Sequence, residues 1–379
     1  MIRILILSTA TGYGGAERSL ELLAPELAKH TDLLVLTGNA RHRRNLRDAA
    51  RRAGVRFPLW HLPLDENRRG SRPAVLGFHA AKLLFRPDVI LTNTELSAMI
   101  ASRSAQLPPR IPVPSWLYVR DFLWMDLPGV FTRLPAAEVL VPGPAVLERP
   151  GYLSSWIAPA TSRRVHLVPD MVALPDPTPP ATAPDPRSGC VLHLATVNEW
   201  KGHTHLIGAA ALLRAAGRHL HIRSRGVTGS RELRADLERR ITSAGIAGPH
   251  GFELLEHAED PSGELRHCSC VVVTSVSRHG GPETFGRTII EAWSHGRPVV
   301  AFASGSMPHL ISHNEDGLLV PEGDEHALAD ALWRLHTDPA LAARLGARGL
   351  EKVRRHYTVK KVADQLLALF KTRYSTPIT

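Results

Sequence analysis

Short apolar runs alternate along this chain with longer segments in which apolar and polar residues are mixed. The runs in the first half are Ile2 to Leu7, Leu33 to Leu36, Val55 to Leu59 and Val89 to Leu91. Helix-length segments, such as Ala16 to Lys29, separate them. Apolar runs of this length are typical of strands that are buried on both faces. The alternation therefore predicts βα units and a parallel sheet.

A proline-rich segment interrupts this alternation. Residues 173–188, ALPDPTPPATAPDPRS, contain six prolines and few side chains that a core could bury. This composition favours a semi-rigid, extended connector. We therefore predict a first domain over residues 1–170, a linker over residues 171–188 and a second domain over residues 189–355.

The alternation resumes after the linker. The predicted elements are a strand in VLHLAT (191–196), a helix over His203 to Ala216, and strands over His219 to Arg223, Val271 to Val276 and Pro298 to Phe302. Two α/β domains of this kind are expected to face each other across a cleft, and ligands of parallel sheets bind beyond the carboxyl ends of the strands. The fold class is thus α/β, and the chemistry is expected in the turns from strand to helix.

Length and composition agree with two globular domains. The chain has 379 residues, of which 44% are hydrophobic and 22% charged, and one domain usually holds about 150 residues. No stretch approaches the roughly 18 apolar residues of a membrane span. The first apolar run is too short for a signal peptide and lacks a cleavage pattern, so we interpret it as a buried strand.

The cysteines indicate a reducing compartment. Cys190, Cys268 and Cys270 are an odd number in a long chain, which argues against a disulfide framework and favours the cytoplasm. No second Cys/His pair follows Cys268 and Cys270 at metal-ligand spacing, so core packing is the better interpretation of both.

Positive charge is concentrated in the first half of the chain. Up to Arg164 there are 22 Lys and Arg against 13 Asp and Glu, whereas the whole chain carries a net charge of +10. Such an excess attracts nucleic acid, an anionic membrane face or a phosphorylated substrate. The segment RHRRNLRDAARRAGVR, Arg41 to Arg56, holds seven arginines beside an apolar stripe, which favours a solvated helix face over nucleic-acid binding.

The first strand leads into a glycine-rich turn, TATGYGGAERS. Gly12, Gly14 and Gly15 precede a predicted helix, so backbone N–H groups there can approach an anion. A G-x-G-x-x-G dinucleotide fingerprint would need glycine at Glu17, and the second strand ends without an acid for a ribose. A nicotinamide cofactor is therefore not expected, and a plain tight turn remains the alternative.

The turn ATVNEWKGHTHL places Lys201 and Gly202 between a strand and a helix. A lysine beside a helix N-terminus offers a point charge to a phosphate or to a leaving diphosphate. A solvated surface lysine is the alternative.

Two glutamates lie eight residues apart in GGPETFGRTIIEAWSHGRPVVA. Pro282 and the preceding glycines predict Glu283 in a loop, with a helix beginning around Thr284 to Gly286. Glu291 lies in an apolar helical run, where a buried carboxylate needs a partner such as sugar hydroxyls. A surface ion pair with Arg287 at i,i+4 is the alternative.

These motifs give the chain a resemblance to glycosyltransferase family 4 of the glycosyl transferases group 1, which are retaining GT-B enzymes that use nucleotide sugars. The resemblance spans nearly the whole chain and rests on GGAERSLELLAPEL, Trp200-Lys201-Gly202, the E-x7-E element and HNEDGLLVPEGD. It implies two Rossmann-like parallel-sheet domains facing a central cleft. It also implies a C-terminal helix near Ala363 to Tyr374, within residues 356–379, that crosses back to the first domain.

The resemblance assigns roles to particular positions. It makes Glu283 and Lys201 the catalytic residues, with Glu283 near the donor sugar, Lys201 on the diphosphate and Glu291 on the ribose. The full set that it implies for donor binding is Gly14, Gly15, Thr196, Lys201, Thr284, Phe285, Gly286, Arg287 and Glu291.

This chain departs from the family pattern at two places. Many members carry an arginine five residues before the lysine, where this chain has Thr196. The candidates to replace it are Arg120, Arg225 and Arg287. Many members also have histidines where this chain shows LTNTE and YVRDF, so Asn93, Arg120 and Asp121 are the nearest acceptor-side positions.

The implied activity is transfer of a sugar, with retention of its configuration, from a nucleotide-diphosphate sugar to a hydroxyl of a glycan, a lipid-linked or a small-molecule acceptor. We expect no cofactor and no metal, because no D-x-D motif occurs and Lys201 with a helix dipole can offset the leaving charge. The expected partners include an anionic membrane face at the periphery but no nucleic acid. A nucleotide-sugar epimerase of similar fold is the alternative enzyme, and it would convert donor without acceptor.

Overall fold

The chain forms two compact units, each built on its own parallel sheet. In this computed structural model the described residues are 1–9, 13–62, 72–122, 127–134, 136–148, 165–176, 189–258 and 260–374. The first unit comprises Met1–Met171 with Thr358–Thr379, and the second comprises Val172–Tyr357. The change of unit therefore falls between Met171 and Val172, and the proline-rich residues 177–188 lie outside the described residues.

The described part of the first unit contains a seven-stranded parallel sheet. Its strands are β1 (Arg3–Ser8), β2 (Asp32–Thr37), β3 (Leu59–His61), β4 (Val89–Thr92), β5 (Ser115–Tyr118), β6 (Glu138–Val141) and β7 (Val165–Leu167). The helices between them are α1 (Gly15–Ala28), α2 (Ala40–Arg52), α3 (Arg72–Phe85), α4 (Glu95–Ser104), α5 (Leu127–Arg133) and α6 (Ala145–Glu148). The strand order β3-β2-β1-β4-β5-β6-β7 reverses between β1 and β4.

The described part of the second unit contains a six-stranded parallel sheet. Its strands are β8 (Val191–Leu194), β9 (Ile222–Arg225), β10 (Phe252–Leu255), β11 (Cys270–Val273), β12 (Val299–Phe302) and β13 (Leu318–Val320). Its helices are α7 (His203–Ala215), α8 (Arg231–Ser243), α9 (Ser262–His267), α10 (Arg287–Ser294), α11 (Met307–Leu310), α12 (Glu325–Thr337) and α13 (Pro339–His356). The order β10-β9-β8-β11-β12-β13 reverses between β8 and β11, and this is where doubly wound sheets bind ligands.

The last helix, α14 (Val359–Tyr374), belongs to the first unit. Its apolar face is fully buried in the same core as Leu20, Leu23 and Leu27 of α1. The residues of α14 in that core are Val362, Ala363, Leu366, Leu367 and Phe370. The first unit is therefore completed by the end of the chain.

Two predicted strands are displaced in the structure. Residues 55–58 are not a strand, and β3 begins at Leu59, which pairs with Val35. Pro58 has no N–H to give to a sheet, so the strand begins only after it. The predicted strand His219 to Arg223 is observed as Ile222–Arg225, where Ile222 is in register with Val191.

Residues 116–131, WLYVRDFLWMDLPGVF, are rich in aromatic side chains. Trp116 and Tyr118 are on β5 and are almost completely buried. The Trp116 ring packs against Phe370 of α14 at a centroid distance of 5.1 Å. The first part of this stretch is therefore a core strand, whereas residues 123–126 lie outside the described residues.

Candidate functional site

The candidate site is at the carboxyl ends of β8 and β11, where the second sheet reverses its strand order. Lys201 ends a short 3-10 turn, Glu199–Lys201, that leads from β8 into α7. Gly202 then adopts φ 68°, and a Cβ there would lie 1.9 Å from the Thr274 carbonyl oxygen. Only glycine fits this position, so the tight turn fixes the position of Lys201 beyond the end of β8.

Lys201 and Glu283 form an ion pair at this edge. The Lys201 Nζ contacts the Glu283 Oε1, and each side chain is 18% exposed. The Lys201 ammonium also lies 4.0 Å from the centre of the Trp200 ring, which adds a cation–π attraction. Both charged residues were predicted for one site, and the structure brings them together.

Two adjacent hydroxyl residues, Thr274 and Ser275, support the ion pair from below. Thr274 Oγ1 donates to the Lys201 carbonyl oxygen at 2.8 Å. Ser275 Oγ donates to the Glu283 Oε1 at 2.9 Å. Both residues are buried and directly follow β11, so one strand end positions both members of the pair. These two residues were not predicted for the site, because the strand predicted over Val271 to Val276 included them, whereas β11 ends at Val273.

A loop after β12 holds the backbone around Glu283. Ser306 N–H donates to the Glu283 carbonyl oxygen at 3.0 Å, and Ser306 Oγ donates to the Thr284 carbonyl oxygen at 2.5 Å. Ser304 Oγ donates to the Ser275 carbonyl oxygen at 2.6 Å. The segment that carries Glu283 is therefore fixed by hydrogen bonds to a neighbouring loop.

Helix α10 begins just after this loop, with Gly286 as its N-cap at φ 99°. Phe285 is buried and packs on Tyr357, with the ring centroids 5.6 Å apart. The helix starts at Arg287, one residue beyond the predicted range. Its first N–H groups are therefore close in sequence to Glu283, at the positive end of the helix.

Of the two arrangements that the sequence left open for Glu291, the structure shows the ion pair with Arg287. Ile289, Ile290 and Trp293 are completely buried, but Glu291 lies on the outer face of α10 with 22% of its side chain exposed. It pairs with Arg287 at 2.9 Å, one turn earlier. The helical period explains the difference, because Glu291 shares a face with Arg287 and not with its apolar neighbours.

Two buried histidines lie under the Lys201 turn. His193 on β8 makes hydrogen bonds with Ser224 Oγ at 3.0 Å and Thr274 Oγ1 at 3.3 Å. Burial lowers the pKa of His193 well below its ordinary value, with further lowering from His203 and Lys201. Burial, with a smaller effect of Lys201, lowers the pKa of His203 to about 4. Both rings are therefore neutral near pH 7.

Arg120, Arg225 and Arg287 were proposed to replace the arginine that is absent at Thr196. Each of them already pairs with a carboxylate. Arg225 pairs with Glu264 at 2.9 Å, Arg287 pairs with Glu291, and Arg120 pairs with Asp170. Thr196 is partly exposed just after β8. The candidates thus divide between two units, and only Arg225 and Arg287 belong to the unit that contains Lys201.

The glycine turn of the first unit lies after β1, beside the strand reversal of its sheet. Gly14 is the N-cap of α1 and Gly15 is its first residue. The Glu17 carboxylate accepts from the Gly14 N–H at 2.8 Å, so one of the helix N–H groups already has an anionic partner. Gly12 lies outside the described residues.

Asn93 and Arg120 come together near this turn. Asn93 Nδ2 donates to the Ala16 carbonyl oxygen at 3.0 Å, and Arg120 Nε donates to Asn93 Oδ1 at 2.9 Å. Ser19 Oγ donates to Asp170 Oδ1 at 2.6 Å, beside the Arg120 ion pair. Asp121 is exposed. These contacts show Asn93 and Arg120 in one polar cluster.

Helix α2 carries the basic segment of the first unit. His42, Leu46 and Ala50 face the interior, so the apolar stripe expected from the sequence is present with His42 added to it. Burial of His42 is matched by a hydrogen bond of 2.9 Å to Glu21. The exposed arginines of this helix are Arg41, Arg44, Arg47, Arg51 and Arg52.

The described residues contain neither a metal-ligand cluster nor a helix that could cross a membrane. Within that part of the chain, no group of three or more His, Cys, Asp or Glu side chains is placed to hold a metal ion. No helix there is long and apolar enough to cross a membrane.

Comparison with known proteins gives a family for the second unit. Residues 188–338 match the family described as glycosyl transferases group 1. A lipopolysaccharide core biosynthesis glycosyltransferase of Rhizobium meliloti is 38% identical over 88 residues, 23% of this chain and 26% of that protein. A D-inositol 3-phosphate glycosyltransferase of Stackebrandtia nassauensis is 30% identical over 272 residues, 65% of this chain and 58% of that protein. Both alignments thus span less than two thirds of the relative's own length.

Solved structures resemble the chain over almost its full length. The crystal structure of HepE from Anabaena in complex with UDP-glucose has a TM-score of 0.77, covering 98% of this chain and 100% of that one. The identity is only 18%, so the likeness concerns the fold. The two Rossmann-like parallel-sheet domains are those of a GT-B protein. This fold agrees with the match of residues 188–338 to the glycosyl transferases group 1.

Proposed function

We propose that the chain is a retaining glycosyltransferase that moves a sugar from a nucleoside-diphosphate sugar to an acceptor hydroxyl. The observation that carries the proposal is the Lys201–Glu283 ion pair at the strand reversal of a group 1 domain. A cation and a carboxylate side by side suit a ligand that has a diphosphate and a sugar next to each other. The complex of HepE with UDP-glucose supports this choice of donor class.

The leaving diphosphate is stabilised by protein charge without a metal. Lys201 and the N-terminus of α10 supply positive charge at the same edge of the sheet. The bond from C1, the anomeric carbon of the donor sugar, to the diphosphate oxygen breaks, and its electron pair remains on the leaving oxygen. The acceptor oxygen bonds to C1 on that same face while its proton passes to the leaving diphosphate, so the configuration is retained.

The two glutamates have different tasks in this proposal. Glu283 contacts the donor sugar, since its carboxylate is fixed beside Lys201. Glu291 binds the ribose of the nucleotide from the outer face of α10, where Arg287 already orients it. Gly286, Phe285 and Thr284 shape the backbone between these carboxylates.

The acceptor is anionic, or is held at an anionic surface, in this proposal. The exposed arginines of α2 give the first unit a strongly basic face. A phosphorylated carrier, an acidic glycan or the negatively charged face of a membrane fits that charge. The name of the Stackebrandtia relative specifies a phosphorylated acceptor, D-inositol 3-phosphate. We propose action in the cytoplasm, at the membrane periphery, because the three cysteines are all free.

A screen of nucleotide sugars tests this function. Purified protein is incubated with UDP- and GDP-linked hexoses, with and without candidate acceptors, and release of the nucleoside diphosphate is measured. We expect slow release from one donor that accelerates with acceptor, and NMR should show an unchanged anomeric configuration in the product. Conversion of donor to an epimer without acceptor would instead identify an epimerase, and an inverted product would refute retention.

A further inference from the structure

The two members of the Lys201–Glu283 pair are held very differently. The Glu283 carboxylate has a second donor in Ser275, and its backbone carbonyl accepts from Ser306. The turn of Lys201 is equally fixed by Thr274, but its ammonium extends from a flexible four-carbon stem. Among the described residues, Glu283 is the one hydrogen-bond partner of the Lys201 Nζ.

This asymmetry decides which partner moves when an anion arrives. A diphosphate draws the lysine ammonium to itself, because charge-assisted contacts to phosphate compete directly with the carboxylate. Swinging the lysine stem changes only side-chain rotamers. Moving Glu283 would break hydrogen bonds at its backbone and at Ser275, so the carboxylate stays.

We propose that Ser275 is the positioning residue that keeps Glu283 in place when Lys201 turns to the diphosphate. Its hydroxyl already donates to the same oxygen, Oε1, that Lys201 contacts. After the lysine leaves, that hydroxyl keeps this largely buried carboxylate partnered. Without it, Glu283 would lose both donors at once, and an unpaired charge at this depth is costly. This inference rests on the function proposed above.

A thermodynamic consequence follows for nucleotide binding. In the parent, Lys201 can leave Glu283 at low cost because Ser275 remains. If the hydroxyl is absent, binding of the diphosphate leaves the Glu283 carboxylate without a donor, and the cost of that loss makes the binding free energy less favourable. Removal of the Ser275 hydroxyl should therefore weaken nucleotide binding when residue 283 is a charged glutamate, and not when it is a neutral residue.

The test is a mutant cycle read by calorimetry with UDP and GDP, whichever the parent binds. We expect Ser275→Ala to weaken binding about tenfold, the size of one hydrogen bond to a charged group. Ser275→Thr, which keeps a hydroxyl, should restore most of the affinity. In the Glu283→Gln background, Ser275→Ala should change the affinity less than about twofold.

The outcomes separate this inference from the proposed function. Equal weakening by Ser275→Ala in both backgrounds would mean that the serine acts only on the fold, and would overturn the inference. Unchanged affinity in the parent background would overturn it as well. If the parent binds neither nucleotide, the proposed donor class itself is refuted. Thermal melts of the five proteins identify any variant that loses affinity by unfolding.

Discussion

At the scale of single residues, Glu283 and Glu291 are distinguished by their partners. Glu283 lies in a loop and contacts both Lys201 and Ser275, whereas Glu291 pairs with Arg287 on a helix face. We expect Glu283→Ala to lower turnover at least about a hundredfold while nucleoside diphosphate affinity is kept or increased, since the carboxylate that competes for Lys201 is gone. Glu291→Ala should weaken nucleotide binding about tenfold. Calorimetry showing the reverse pattern would refute these assignments.

Lys201 is assigned the charge that a metal supplies in other transferases. We expect Lys201→Ala to lose at least about a hundredfold in kcat, with or without magnesium. Activity of the parent should be unchanged in excess EDTA. Lys352→Ala is a control, because Lys352 is a partly buried, ion-paired lysine of the same unit that bonds Asp316 at 2.8 Å. Loss of activity in EDTA, restored by a divalent ion, would contradict the assignment.

His203 gives the second unit a defined dependence on pH. Its pKa is about 4 in the folded chain against an ordinary 6.5, so the unfolded chain binds the proton first as the pH falls. Its contribution to stability is present above pH 6.5 and is lost between about 6.5 and 4, by roughly 3 kcal/mol. Chemical denaturation should show at least this loss of stability in the parent, where His193 adds to it, and in a control, His326→Leu, on an exposed position of α12. A loss of the same size in His203→Leu would contradict the prediction.

At the scale of elements, the βα alternation was sufficient to predict the parallel sheets but not every boundary. β1 and β4 are visible because they lie centrally in the sheet and are apolar on both faces. β3 lies at the edge with mostly exposed side chains, so its pattern gives no buried run, and the apolar residues before Pro58 were mistaken for it. Edge strands depend on pairing that a local pattern does not contain.

The site shows a similar division. Lys201, Gly202 and Glu283 were predictable, because turns after strands restrict the residue types that fit. The ion pair of Arg287 with Glu291 was predictable, because it follows helical spacing. The ion pair of Arg225 with Glu264 was not, because the two residues are far apart in the sequence. Thr274 and Ser275 were missed because their importance comes from contacts with residues on other loops.

Helix α2 is the element that we expect to contact an anionic partner. Replacement of Arg43, Arg44 and Arg51 by Glu should lower the affinity for phosphatidylserine vesicles, measured by sedimentation, or for an anionic acceptor. We expect a decrease of about a hundredfold at low salt. The effect should diminish as salt is added. Donor affinity should not change, because the charged residues assigned to the donor, Lys201, Glu283 and Glu291, all belong to the second unit.

A matched control for this reversal is available on α8. Reversal of Arg231, Arg239 and Arg240 changes the net charge by the same amount at exposed positions of the second unit. It should leave vesicle binding near the parent level. Equal vesicle binding by the parent and the α2 variant would mean that these arginines only keep the protein soluble.

At the scale of the whole molecule, one of the two units is built from two separate segments of the chain. The second unit is continuous in sequence, but the first receives α14 from the far end of the chain. The apolar residues of α14 pack in the core of α1 and of the central strands. The first unit can therefore reach its full stability only after the second has been synthesised.

Phe370 provides the test of this dependence, since it is fully buried and packs edge-on against Trp116 of β5. We expect Phe370→Ala to destabilise the first unit by about 4 kcal/mol, the usual cost of removing a buried phenyl ring. Hydrogen exchange should then accelerate in β1, α1 and β5, which share that core, and not in β8 or β11. Lys371→Ala, at an exposed neighbouring position of α14, should leave exchange unchanged. Acceleration of similar size in both units would show that they unfold as one cooperative body, because loss of a side chain from one core would then open both.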